Sequence, residues 1–502
     1  MKRRLSFAPR RGFTRVADTS VDILIVGAGF AGLGMAIALR QAGLESFLVI
    51  EKGDDVGGTW RENRYPGCAC DIPSHLYSFS FDLNPDWSRM YAPQPEIWDY
   101  LRRCAKRYGV VGQIRFRTAL REAAWDEARH LWEVTTQGGE RIRARVLISG
   151  MGALHVPRYP DLPGLERFRG PAFHSAAWDS EVPLAGRRIA VFGTGASAIQ
   201  FVPQIAAQAG RLFLYQRTPP WILPRADFPI ADRWQRRFAR VPGLMRLFRI
   251  CLFWSLEIRV GGFLGNRWMQ AQGKKIARRY LEREVADPQL RAALTPNYAF
   301  GCKRVLISSD FYKAIQFPNV ELVTEPIVEV REQSVVTAGG AERPADVLIY
   351  ATGFRATDLL HGVRLVGRGG IDFPQAWRAS RSAFLGIAMS GFPNFFMLLG
   401  PNTGLGHNSV VLMIEAQIRY VMSCLKAMRR QGYSVMDLRP ESQSRFGDFL
   451  RQRLAPTVWQ SGGCRSWYQD PETGENPTIW PGSVVAYRRR TRRLAVRDYV
   501  WS

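Results

Sequence analysis

The sequence is short of carboxylates: 44 Asp and Glu stand against 69 Lys and Arg, a formal net charge of +25 over 502 residues. It also lacks any run of about 18 uncharged apolar residues, so no segment is expected to cross a membrane as a helix. The nearest approach, Leu244 to Leu264, is broken by Arg246, Arg249, Glu257 and Arg259. It reads as a core helix with a basic face rather than an interfacial one. No signal peptide is expected, because Met1 to Ser20 is basic and polar with no apolar stretch. Cysteine is scarce and scattered, at 68, 70, 104, 251, 302, 424 and 464. An odd count in a long chain implies no disulfide framework, and Cys68-x-Cys70 has no second ligand pair to make a zinc site. Reduced thiols, no metal centre and a cytoplasmic location follow as expectations.

What is present is globular in composition, with 46% hydrophobic and 23% charged residues. The length allows two to four domains, each able to build its own core. The positive charge could serve nucleic acid, anionic lipid or an anionic cofactor. It is spread along the whole chain, densest at Arg488-Arg489-Arg490-Thr491-Arg492-Arg493, and reads first as a solvated surface. No nucleic-acid motif accompanies it, so no specific nucleic-acid partner is expected; weak peripheral contact with an anionic membrane stays open. No obligate protein partner is evident.

The strongest pattern is a βαβ unit. Val21 to Val26 reads as a buried parallel strand and runs into Gly27-Ala28-Gly29-Phe30-Ala31-Gly32. A helical run, Leu33 to Ala42, is followed by Gly43 as a C-terminal cap, and the next strand, Phe47 to Ile50, ends on Glu51. Gly27 permits a tight turn, Gly29 lets backbone approach a pyrophosphate, Gly32 lets helix pack on strand, and Glu51 can accept from ribose hydroxyls. The pattern recurs: strand Arg188 to Phe192, then Gly193-Thr194-Gly195-Ala196-Ser197, a helix, and strand Arg211 to Tyr215. This second unit ends on Gln216-Arg217-Thr218 where an acid would read a free ribose. A guanidinium there binds a 2′-phosphate that a carboxylate would repel, so NADPH is favoured over NADH.

Val146 to Gly150 and Asp346 to Gly353 read as strands returning to each cofactor. Residues 221 to 300, rich in Arg, Leu, Phe and Trp at helical spacing, read as a helical insertion. The expected architecture is α/β with two Rossmann-like dinucleotide-binding domains. Residues 1–155 and 385–502 would form the first domain, and 156–384, carrying the insertion, the second. Two such units in one chain suggest hydride transfer from NADPH to a bound flavin.

Between the units lies Phe168-Arg169-Gly170-Pro171-Ala172-Phe173-His174-Ser175-Ala176-Ala177-Trp178-Asp179. Earlier come Gly57-Gly58-Thr59-Trp60, Tyr65-Pro66-Gly67 and Asp71. With these two motifs the sequence resembles the class B flavoprotein monooxygenases, and among them the type I Baeyer–Villiger monooxygenases, over about residues 20 to 482. The resemblance implies FAD bound in the first unit, with Gly58, Thr59, Trp60 and Tyr77 beside it. It implies NADPH in the second, with Arg217, Thr218 and Lys303 around the 2′-phosphate and Trp467 near the ribose, although Trp467 reads equally well as a core residue. In Gly301-Cys302-Lys303-Arg304, Arg304 takes the place of the family's catalytic arginine, a permanent cation beside a flavin peroxide, and Asp71 that of the aspartate that orients it. Phe168, Gly170, His174, Trp178 and Asp179 are implied to couple NADPH binding to domain movement, not to act as chemical bases. Gly400 to Ser409 would bring amides to the flavin ring at the start of a helix from Val410 to Leu425.

The implied activity is that of an oxidoreductase that uses O2 and NADPH to convert a ketone to an ester or lactone. Two other readings stand beside it. One is an N- or S-oxygenating flavin monooxygenase, which would not need the Asp71–Arg304 pair. The other is a basic nucleic-acid- or lipid-binding protein that keeps a vestigial flavin fold.

Overall fold

The computed structural model describes residues 19–502, so the expectation for the basic leader falls mainly on residues 1–18, outside the described part. The first dinucleotide unit is built where it was expected. Strand Thr19–Val26 turns through the glycine loop into helix Phe30–Gln41, and strand Phe47–Ile50 pairs parallel with the first. Ile23, Leu24, Ile25 and Val26 are all buried, as a strand covered on both faces requires. Arg141–Ser149 lies parallel on the other side and brings Gly150 back to the loop. Antiparallel strands Leu131–Thr136 and Leu120–Asp126 extend the sheet beyond it.

The second unit is a five-stranded parallel sheet in the order Val320–Val323, Arg211–Tyr215, Arg188–Phe192, Val347–Tyr350, Ala172–His174. The strand that feeds the glycine loop, Arg188–Phe192, stands in the middle and the strand order reverses beside it, which places the cofactor crevice at the carboxyl ends of the strands. The strand Ala172–His174, from within the long motif, closes one edge. The fold is thus α/β with two Rossmann-like parallel cores.

One expected boundary moves. Arg364–Val366 pairs parallel with Leu120–Asp126 in the first sheet, although residues up to 384 were assigned to the second domain. Helix Phe373–Ser380 follows it, with Phe373 and Trp377 in the first sheet's core. Three residues are too few for their alternation to mark a strand, so only the pairing reveals it.

The insertion is helical as read: Asp232–Arg240, Leu244–Glu257, Val260–Phe263, Arg267–Glu284 and Pro288–Ala293. It bridges the units. Leu256 sits in the first unit's core, while Tyr280 and Leu281 sit in the second's. The core-helix reading of Leu244 to Leu264 needs correction. Helix Leu244–Glu257 buries Arg249 and Glu257 and exposes Leu247, Ile250 and Trp254. Its charges are drawn inward by specific partners. Arg249 donates to Ser78 O at 2.9 Å and Ser78 Oγ at 3.0 Å, and Glu257 accepts from Asn408 Nδ2 and the Val485 N–H, both at 2.9 Å.

Candidate active site

The two glycine loops have the same logic. Gly27 and Gly193 both stand at positive φ, +97° and +109°, because each strand must turn sharply against the returning strand. A Cβ on Gly27 would lie 2.9 Å from Gly150 O, and one on Gly193 would lie 2.7 Å from Ala351 O. Gly32 is forced as well: a Cβ there would come within 1.8 Å of Gly27 O. The middle glycines are different. A Cβ on Gly29 would meet nothing closer than 3.6 Å, and one on Gly195 nothing within 4 Å. The protein itself does not need glycine at either place, but a ligand backbone lying on them does.

Each loop opens a helix whose first turn has no side-chain cap, at Gly29 and Ser197, which leaves its amides for a phosphate. Glu51 is fixed beside the first loop, accepting from the Ala28 N–H at 2.7 Å and the Gly53 N–H at 2.8 Å. Both cradles therefore fit dinucleotides.

The tryptophan motif lines the first cradle. Gly58 precedes a short turn of helix, Thr59–Glu62, with Thr59 exposed. Trp60 donates from Nε1 to Tyr77 OH at 3.2 Å and meets its ring edge-on. Burial pushes the Tyr77 phenol well up, so it stays protonated. The Tyr65-Pro66-Gly67 turn docks on the second unit. A Cβ on Gly67 would strike Gln200 O at 2.8 Å, and the Ala69 N–H donates to Gln200 Oε1 at 3.0 Å.

Asp71 and Arg304 come from different units and meet. Asp71 Oδ2 accepts from Arg304 Nε at 2.9 Å and from Nη2 at 2.5 Å, across 233 residues of sequence. Nη1 reaches toward Leu405 O at 3.5 Å, in the loop that leads into helix Val410–Gln431. The Asp71 charge raises the Arg304 pKa above its usual value against the opposing effect of burial, so the guanidinium is a fixed cation.

Lys303 lies over the Tyr298 ring at 5.1 Å, and burial and then the charge of Arg217 lower its pKa. The two cations thus sense each other, and among the described residues neither has a carboxylate partner. Thr218 is half-buried beside Arg217. A pair of unneutralised cations at the end of the second unit suits a 2′-phosphate.

Two features here were not expected. Tyr468 is 1% exposed, and its hydroxyl faces Arg304 with Asp71 nearby: burial raises its pKa and the Arg304 guanidinium opposes that rise. The sequence signal was only its place next to Trp467. Trp467 itself is 43% exposed and packs on Tyr468 with ring centres 4.4 Å apart, so it is not a core residue. The second feature corrects the reading of reduced thiols. Cys302 and Cys464 form a disulfide, with Cα atoms 6.2 Å apart and a sequence separation of 162. No spacing rule pairs such distant cysteines; the fold brings them together. The bond ties the Lys303–Arg304 segment to the Trp467–Tyr468 segment.

The long motif holds the second sheet's edge. A Cβ on Gly170 would lie 2.3 Å from Asp346 O, Phe168 packs on the second unit's core, and Trp178 packs on Phe173 and Phe201, each 5.2 Å away. Asp179 is exposed and accepts from the Glu181 N–H at 3.0 Å. His174 is fully buried, between Tyr159 and Phe354. Its Nδ1 accepts from the Ala176 N–H at 3.1 Å, and burial lowers its pKa against the opposing effect of a backbone hydrogen bond at Gly353. None of these five residues belongs to the Arg304 cluster.

The comparisons agree with this geometry. The flavin-binding monooxygenase-like family matches residues 20–358. A Baeyer–Villiger monooxygenase of Pseudomonas aeruginosa is 45% identical over 97% of this chain and 92% of its own. Among solved structures, a closed form of cyclohexanone monooxygenase superposes with a TM-score of 0.87 at 28% identity, covering 97% of this chain and 100% of that one. A complex of OTEMO with FAD and NADP superposes with a TM-score of 0.86 at 28% identity, covering 96% and 99%. With two dinucleotide cradles, a long matching motif and near-full-length similarity in both sequence and structure, the chain belongs to the flavin-binding monooxygenase-like family, on its Baeyer–Villiger branch.

Proposed function

We propose that this protein is a Baeyer–Villiger monooxygenase that uses NADPH and O2 to insert one oxygen atom beside the carbonyl of a small-molecule ketone, releasing an ester or lactone. FAD, when bound, supplies the hydride acceptance and oxygen activation, and NADPH the hydride. The protein supplies placement and charge. The first glycine loop and Glu51 hold the flavin's pyrophosphate and ribose, and Arg217, Thr218 and Lys303 hold the 2′-phosphate. Arg304 places a permanent positive charge where negative charge develops on the reacting oxygen, and Asp71 fixes its direction. Tyr77, half-buried, and Tyr468, buried, border this charge pair with their rings, where its field acts more strongly than in water.

The observation that carries this reading is the two-point ion pair between Asp71 and Arg304, drawn from different units into one site. It favours ketone oxygenation over N- or S-oxygenation, where no such pair is called for. A vestigial fold has no reason to keep both cradles open at Gly29 and Gly195. No described helix is long and apolar enough to cross a membrane, and in the same proposal any contact with lipid is peripheral. The test is a panel of ketones, amines and sulfides given to the FAD-loaded enzyme with NADPH. Ester formed in proportion to NADPH consumed supports the reading; oxidation of amines or sulfides alone refutes it.

A further inference from the structure

Helix Leu244–Glu257 presents apolar residues to water. Leu247, Ile250, Trp254 and Ile258, the last just past its end, recur every three or four residues and so form one stripe along it. They are 57%, 52%, 50% and 65% exposed. Nearby in the insertion, Trp234 and Trp268 are exposed as well. Singly exposed hydrophobic residues are ordinary, but a continuous helical stripe marks a surface that something covers.

The charge around the stripe selects the occupant. Between positions 233 and 281 the chain has twelve Arg and Lys and one carboxylate, Glu257, which is buried. Arg249 is the single buried cation, which leaves eleven exposed. Among the described residues none of these eleven has a carboxylate partner. A second copy of the chain docked through this face would set like charge against like charge. Nucleic acid would answer the cations but leave the stripe in water. A bilayer with anionic headgroups answers both, taking the stripe and tryptophans into its interface and the cations at its surface.

We propose that the helical insertion is a peripheral membrane-docking surface, with Leu247, Ile250, Trp254 and Ile258 entering an anionic lipid interface and the surrounding Arg and Lys meeting its headgroups. The same helix reaches the active-site loop from behind, through Glu257 to Asn408 and His407, so the docked face and the site share one rigid element.

Cys251 provides a probe. It lies in the stripe and is exposed, whereas the other free cysteines, at 68, 70, 104 and 424, are buried. The FAD-loaded full chain is labelled there with an environment-sensitive fluorophore. It is mixed at physiological salt with vesicles of phosphatidylcholine, with or without one third phosphatidylglycerol. Sedimentation with the anionic vesicles only, with the label shielded from aqueous iodide and quenched by lipid-borne quenchers, is the expected result. The variant Leu247→Ser, Trp254→Ser, Ile258→Ser should lose at least about tenfold in vesicle binding and keep its FAD and its turnover of a water-soluble ketone. Three results overturn the proposal. One is no binding of the wild type to anionic vesicles, and another is binding with the label still open to iodide. The third is a wild-type dimer in light scattering that the variant breaks while vesicles bind neither, which would make the stripe an interface between copies.

Discussion

Replacing Arg304 with alanine tests the proposed chemistry most directly. Two effects compete, a loss of stability and a loss of rate. At about 4 Å between charge centres the Asp71–Arg304 attraction is about 4 kcal/mol gross at an effective dielectric near 20, before desolvation is subtracted. Removing one partner of a fully buried pair costs about 3–5 kcal/mol. Here the side chains are 27% and 29% exposed, so water can reach the stranded Asp71 and the cost falls below that range. The variant should therefore fold and keep FAD. The rate should suffer far more, because a preorganised charge at the reacting oxygen is typically worth about 100- to 1,000-fold, or about 2.7–4 kcal/mol. Arg304→Lys keeps the charge but cannot make the two-point contact to Asp71, so it should fall between. The assay follows NADPH consumption and ester formation together. Arg304→Ala should consume NADPH with almost no ester. Ester made at the wild-type rate by a folded, FAD-loaded Arg304→Ala would refute the assignment.

Other outcomes follow from the same geometry. Arg217→Ala should raise the apparent NADPH constant roughly 10- to 100-fold, as loss of a charge-assisted contact implies, and leave the NADH constant nearly unchanged; equal effects on both would remove the 2′-phosphate site. Lys303 holds phosphate only when protonated, and burial and Arg217 lower its pKa. NADPH capture should be complete at low pH and weaken as pH rises, starting below the range of an ordinary lysine; a pH profile of the NADPH constant that matches the flat one for NADH would exclude this. Reducing the Cys302–Cys464 disulfide, or the change Cys464→Ser, releases a 162-residue loop closure worth up to about 5 kcal/mol in the chain-entropy model. It should lower the thermal midpoint and raise the NADPH constant, and an unchanged midpoint after verified reduction would contradict it.

The parts legible in the sequence are those whose cause is local. Gly27 and Gly193 turn at positive φ directly after their strands, and Gly32 is required by contact with Gly27 in the same loop. A reader of the sequence meets cause and consequence together, so the strands Phe47–Ile50, Arg188–Phe192 and Arg211–Tyr215 appear where they were expected. What was not legible depends on distant partners. Arg364–Val366 is a strand only because Leu120–Asp126 lies beside it. Cys302 and Cys464 carry no mark of each other. The stripe of Leu247, Ile250, Trp254 and Ile258 looked like a core face because helical spacing shows that apolar residues share a side, not which side is covered. Arg249 and Glu257 decided that, through Ser78 and Asn408.

The segment 301–304 joins these themes. In the proposed mechanism Lys303 reads the nicotinamide cofactor and Arg304 serves the chemistry, and adjacent residues cannot move independently. Gly301, at φ +92°, begins the turn, and Cys302 fastens it to Cys464, three residues before Trp467. Any displacement of Trp467 toward or away from a bound cofactor therefore pulls on the backbone that carries Arg304. Asp71 resists from the other unit, through a carboxylate that accepts two guanidinium hydrogen bonds. In the proposed mechanism, cofactor occupancy and the position of Arg304 are thus linked through covalent bonds on one side and an ion pair on the other. Of the two, only the ion pair can break and re-form within a catalytic cycle, so movement of Arg304 during turnover should be governed by Asp71.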